Sequence, residues 1–115
     1  LILTVIFLVV ALGISAWGKE TPSWWPQAQK EAQQDGYALT TPQEAQVLYD
    51  SGKDFLILDV RPDYEYKSGH LPQAENFEID LGDRLDMKPE KKAAFENTLG
   101  SDKNRQIVIY CRSFR

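Results

Sequence analysis

The chain has 115 residues, enough for one small domain. Its net charge of −4 argues against non-specific nucleic-acid binding, which needs a basic footprint. It carries one cysteine, Cys111, so no disulfide forms within it; in an oxidising compartment a lone cysteine is either buried and inert or kept for its reactivity.

Residues 1–16 read LILTVIFLVVALGISA, uncharged and interrupted only by Thr4 and Ser15. Such a run is a bilayer-type segment. Two readings stand side by side. An uncleaved anchor needs about 20 apolar residues with ~17 as the lower limit, and residues 1–17 sit at that limit. A cleaved signal peptide ends at a small-residue site, for which Ile14-Ser15-Ala16 is an imperfect candidate. Either one puts the remainder outside a bacterial-type cytoplasm, periplasmic, secreted or held at the inner membrane. The first residue is Leu rather than Met, so the true start is expected upstream. Trp17, Trp24 and Trp25 suit a membrane interface, although the last two would equally pack on a domain.

Residues 18–36 read as a linker or loosely docked arm, with Pro22, Pro26 and a Gln-rich run. Ala28 and Ala32, four apart, allow a short weak helix. A domain is expected over residues 37–115. Tyr37-Ala38-Leu39 suggests a short edge strand. Thr41-Pro42-Gln43-Glu44 is a helix start: Thr41 caps, Pro42 suits the first helical position and Glu44 closes a capping box. Ala45, Leu48 and Tyr49 share one face of that helix, which ends at Asp50-Ser51-Gly52. Phe55 to Val60 is a near-continuous apolar run, the mark of a fully buried, parallel strand. A helical turn is expected within Pro62 to Ser68, a turn at Gly69-His70-Leu71-Pro72 and a short extended piece near Ala74 to Phe77. Pro89 to Leu99 predicts a second helix with Phe95 and Leu99 on one face and Gly100 past its end. Ile107-Val108-Ile109-Tyr110 is another buried strand with Cys111 at its carboxyl end. Alternating strands and helices indicate an α/β domain with a mainly parallel sheet flanked by helices on both faces. Ligands of such sheets bind beyond the carboxyl ends of the strands, where both Asp59 and Cys111 stand.

Three segments carry chemistry. In the first, Cys111 leaves a strand and enters a loop with Arg112 and Arg115 close behind. Thiolate is the nucleophilic form of cysteine, and cations and converging N–H groups favour it. Such a cradle would also bind an anion over the sulfur; the plain alternative is a small plug at a strand end with solvated arginines. In the second, Asp59 ends a buried strand, so it must be paired or hydrogen-bonded. Arg61 or neighbouring N–H groups are its expected partners, and its expected task is organising loops. In the third, His70 is the one histidine. Between Gly69 and Leu71-Pro72 it reads as a structural hydrogen-bonder rather than a general base. One Cys and one His without ligand spacing make no metal site. Asp80, Asp83, Arg84 and Asp86 are expected to be solvated, with Arg84 a candidate cleft residue, and Lys91 and Lys92 to form an exposed helix face.

Residues 58–77, LDVRPDYEYKSGHLPQAENF, followed by residues 107–115, IVIYCRSFR, resemble the rhodanese domain. The stretch over 58–77 is similar to that family's Asp-x-Arg strand end and its Gly-His-[Ile/Leu]-Pro-x-Ala-x-Asn motif. The stretch over 107–115 is similar to its strand leading into the catalytic-cysteine loop. The resemblance implies a sulfurtransferase in which Cys111 is the nucleophile. It would accept a sulfane sulfur from thiosulfate or a persulfide and pass it to cyanide or a thiol, by double-displacement covalent catalysis. Arg112, Ser113, Phe114 and Arg115 would bind the donor and the persulfide, with Asp59 and Arg61 supporting the loop, His70 structural, and no cofactor or metal. In the family the domain continues past this loop, so a polypeptide ending at Arg115 is expected to be unstable or inactive. Two other readings remain: a phosphatase or arsenate reductase of the related cysteine-loop type, and a non-catalytic binding module.

Overall fold

A computed structural model of the chain describes residues 22–112. The expected apolar N-terminal segment and the loop residues Ser113, Phe114 and Arg115 lie outside the described residues. Among the described residues, no helix is long and apolar enough to cross a membrane.

The fold is built around β1 (Phe55–Asp59). Leu56, Ile57 and Leu58 are all buried, so both faces of the strand are covered. Such burial is what an apolar run without alternation demands. On one side β1 pairs in parallel with β2 (Glu75–Asn76), with Leu58 opposite Glu75 and Asp59 opposite Asn76. On the other it pairs in parallel with β3 (Gln106–Tyr110), from Phe55 opposite Gln106 to Asp59 opposite Tyr110. The sheet order is β2-β1-β3. With flanking helices this is an α/β architecture, as the alternation of elements indicates. β3 is not the buried strand expected: Ile107, Val108 and Tyr110 are half-buried and Ile109 is exposed.

One of the described helices begins at a side-chain cap. In α2 (Pro42–Asp50), the Thr41 hydroxyl accepts from the Glu44 amide at 3.2 Å. The Thr41 amide donates back to the Glu44 carboxylate at 2.8 Å, closing the capping box. Ala45, Leu48 and Tyr49 form its half-buried face, and Tyr49 meets Phe55 edge-on with ring centroids 5.6 Å apart. α3 (Asp63–Ser68) is a turn and a half between β1 and β2. α4 (Pro89–Leu99) starts at the predicted proline and sets Phe95 against Phe77, centroids 5.1 Å apart.

Three further expectations are revised. Residues 18–36 do not hold merely a weak helix with little to bury: α1 (Trp25–Asp35) has 11 residues, and Ala28 and Ala32 are both buried. Gly36, at φ 80°, ends the helix in the left-handed conformation that glycine adopts without strain. Second, residues 37–39 form no strand, since the Tyr37 amide is taken by the Ala32 carbonyl at the helix end. Third, Asp80, Asp83 and Lys91 are not simply solvated. The Asp80 amide donates to Asp83 at 2.9 Å and the Asp83 amide donates to Asp80 at 3.0 Å. Lys91 pairs with Asp83, holds its carboxyl below the usual range and is itself raised.

Candidate functional site: the carboxyl end of the sheet

Asp59 ends β1 with 0 % exposure. A buried carboxylate is costly unless every lone pair finds a donor. Here Arg61 donates through its amide at 3.0 Å, its Nε at 2.9 Å and its Nη2 at 2.7 Å. The Tyr110 hydroxyl supplies a further hydrogen bond at 2.7 Å. Burial alone would raise the Asp59 pKa, but the bonds from Arg61 and Tyr110 and the guanidinium charge outweigh it, and the carboxyl is held below its ordinary value. The carboxylate in turn raises Arg61, with burial opposing. Burial, above all, raises the Tyr110 hydroxyl.

From this pair the network extends to the loop after α3. Arg61 Nη2 donates to the Gly69 carbonyl at 2.7 Å. The Tyr110 hydroxyl, while donating to Asp59, accepts from the Leu71 amide at 3.0 Å. The Asn76 amide group donates to the Asp59 and Arg61 carbonyls, each at 2.9 Å, and so fixes the chain as it leaves β1. His70 lies flat on Tyr66, ring centroids 3.8 Å apart, with Nδ1 2.9 Å from the Tyr66 carbonyl. Those contacts match a structural histidine.

Cys111 is the first residue beyond β3 and is an exposed free thiol. The parallel register puts Tyr110 opposite Asp59, so Cys111 emerges at the same sheet end as the Asp59–Arg61 pair. Arg112 reaches back to α3, its Nη1 3.0 Å from Glu65 Oε1. Of the residues singled out from sequence, Asp59, Arg61, Cys111 and Arg112 are thus gathered at one end of the sheet. Arg84 stands outside the set of residues that line the open pocket formed by Asp80, Gly82, Asp83, Asp86, Lys88 and Lys91. Among the described residues, no three His, Cys, Asp or Glu side chains are grouped to hold a metal ion.

Two residues that contact the site, Tyr110 and Glu65, escape a reading of the sequence, and Asn76 is read only as the end of a motif. Tyr110 carries a signal. It is the one polar-tipped residue of the run Ile107 to Tyr110 and sits beside the cysteine, where a hydroxyl needs a partner. Asn76 closes the motif that begins at Gly69-His70, but nothing local says which carbonyls it binds. Glu65 is set by the turn of α3 against a loop far along the chain, which no spacing rule reaches.

Known proteins bear on this arrangement. A family model described as a rhodanese-like domain matches residues 41–115. Rhodanese-like domain-containing protein 8, chloroplastic, of Arabidopsis thaliana is 30 % identical over 93 residues, covering 78 % of this chain and 19 % of that protein. The chain therefore spans about a fifth of that relative's length. No solved structure gave a significant match. The matched region takes in the Asp59–Arg61 strand end, the turn around His70 and the strand delivering Cys111, and on that match the chain belongs to the rhodanese-like domain family.

Proposed function

We propose that the protein is a sulfurtransferase that carries a sulfane sulfur on Cys111. One observation carries the reading: an exposed thiol stands one residue beyond the Tyr110–Asp59 hydrogen bond, at the carboxyl end of a parallel strand and directly before an arginine. Membership of the rhodanese-like family supports it.

In the first half-reaction the Cys111 thiolate attacks the outer sulfur of thiosulfate. A new sulfur–sulfur bond forms at Cys111, the donor's own sulfur–sulfur bond breaks, and sulfite leaves with the electron pair. Three negative charges enter and three leave, as a persulfide anion and sulfite. In the second half-reaction cyanide or a thiolate attacks the outer sulfur of the persulfide and regenerates the Cys111 thiolate. A persulfide donor enters the same cycle with a thiolate as leaving group. Arg112 attracts the anionic donor. In this reading Ser113, Phe114 and Arg115, which lie outside the described residues, supply N–H groups to the transferred sulfur. Asp59, Arg61 and Tyr110 touch no reacting atom in this scheme. They position the strand end from which Cys111 is presented.

A double-displacement cycle has a kinetic signature. Initial rates of thiocyanate formation at varied thiosulfate and fixed cyanide concentrations should give parallel reciprocal lines, and Cys111→Ser should abolish turnover. Converging lines, or activity retained without the thiol, would sink the scheme. The uncharged run over residues 1–16 supports an extracytoplasmic setting, for sulfur delivery or thiol repair outside the cytoplasm. A reporter fused at the C-terminus and found active only in the cytoplasm would refute that setting.

A further inference from the structure

The residue after Cys111 is already engaged. Arg112 Nη1 lies 3.0 Å from Glu65 Oε1, and the two side chains are unequally exposed, 64 % for Arg112 and 17 % for Glu65. The carboxylate is therefore the more buried half of the pair and the guanidinium the more exposed half. The helix that carries Glu65 is anchored through its neighbours. The neighbouring Tyr66 hydroxyl donates to the Ala74 carbonyl at 2.7 Å, and its ring is stacked under His70. Arg61 clamps the loop that follows at the Gly69 carbonyl. On the same helix Lys67 is taken by Asp63 at 2.7 Å, so Glu65 faces Arg112 and not that lysine. Arg61 and Tyr110 tie the loop after α3 to the strand ends ahead of Cys111, whereas the Glu65–Arg112 pair acts beyond the cysteine.

We propose that Glu65 sets the donor specificity of the Cys111 site, its carboxylate occupying the Arg112 guanidinium and weighting the site against the doubly anionic thiosulfate and towards persulfides with an uncharged tail. This rests on the sulfurtransferase reading. The sulfur transferred is the same from either donor; the leaving groups differ. Thiosulfate releases sulfite, with two negative charges, whereas an alkyl persulfide releases a thiolate with one. A dianion at Arg112 must share the guanidinium with a carboxylate that is largely withdrawn from water, where like-charge repulsion is less screened. An uncharged tail meets no such penalty. Glu65 acts through Arg112 and is thus a positioning residue for specificity, not a catalytic one.

The test is Glu65→Gln, which keeps the shape and removes the charge. Two quantities are read on the full protein: kcat and KM with thiosulfate and with hydroxyethyl persulfide, and the thiosulfate Kd of Cys111→Ser protein with and without Glu65→Gln. The expected result is a thiosulfate KM and Kd lowered by up to about fivefold, the range of a partly exposed ion pair. Both kcat values and the persulfide KM should stay unchanged, and Glu65→Asp should keep the wild-type donor preference. Parallel changes with both donors, a weaker thiosulfate Kd, or no thiosulfate binding with either side chain at position 65 overturns the proposal and leaves Glu65 a structural partner of Arg112. If the wild type takes sulfur from neither donor yet the Kd tightens, the sulfurtransferase reading fails while the control of anion binding by Glu65 stands.

Discussion

Asp59 and Tyr110 face each other across two strands, and each satisfies a group the other cannot leave unpaired. Tyr110→Phe removes the 2.7 Å bond to Asp59 and the acceptor for the Leu71 amide, while keeping the ring. The expected loss is about 1–3 kcal/mol, measured by urea denaturation, because a buried carboxylate loses a donor and gets no water in exchange. A loss no larger than that of an exposed tyrosine would mean the hydroxyl is not part of the network. Asp59→Ala leaves the Arg61 guanidinium facing an empty site and should cost more, roughly 3 kcal/mol or above. The pH dependence follows from the signs. The Asp59 carboxyl is held below its ordinary value, so its contribution is complete above the unfolded-state pKa of about 3.9 and is lost as pH falls below it. The Tyr110 hydroxyl is raised, so its contribution is complete below about pH 10 and is lost as pH climbs through its folded value. The stability difference between wild type and Asp59→Asn should therefore be flat near neutrality and shrink below about pH 4. A difference that stayed constant down to about pH 2 would contradict the assignment.

Local rules account for most of the elements. α2 and α4 both begin at prolines, α2 with the Thr41 capping box and α4 with no side-chain cap but with Glu90 in its first turn. Thr41→Ala should lower stability by about 1 kcal/mol by opening the capping box, a change that a thermal melt resolves; an unchanged melt would show that tertiary packing alone holds α2. β1 is legible as a buried strand because its apolar run has no alternation, and the motifs mark the sheet end at which both Asp59 and Cys111 stand. α1 is less legible. Its helical period rests on Ala28 and Ala32, and alanine says little about whether a face is buried until the neighbouring surface is known. Enlarging Ala28 to Leu should destabilise the protein by about 1–3 kcal/mol through overpacking, where an arm lying loosely on the surface would be indifferent. The short segment over residues 37–39 misleads in the opposite sense: its composition suits a strand, but the helix end captures the Tyr37 amide first. The pairing of Glu65 with Arg112 is illegible because it depends on how α3 is rotated against β3, a property of the packed sheet and not of either segment.

At the scale of the whole molecule, one sheet end gathers an anchoring pair and, in the reading proposed above, a reacting pair. Asp59 with Arg61 is satisfied by its neighbours, so it positions. Cys111 with Arg112 is exposed, so it is available to a substrate. β1 links the two, since its register places Tyr110 against Asp59 and the thiol just beyond. The sulfurtransferase reading depends on Cys111 as a sulfur carrier. The most direct test is the intact mass of the reduced protein after reaction with thiosulfate and removal of excess donor, beside Cys111→Ser treated identically. A sulfur carrier gains one sulfur atom, about 32 Da, in the wild type alone, and cyanide reverses the gain with release of thiocyanate. No gain with thiosulfate or with a small persulfide, in protein shown to be folded, would contradict that role.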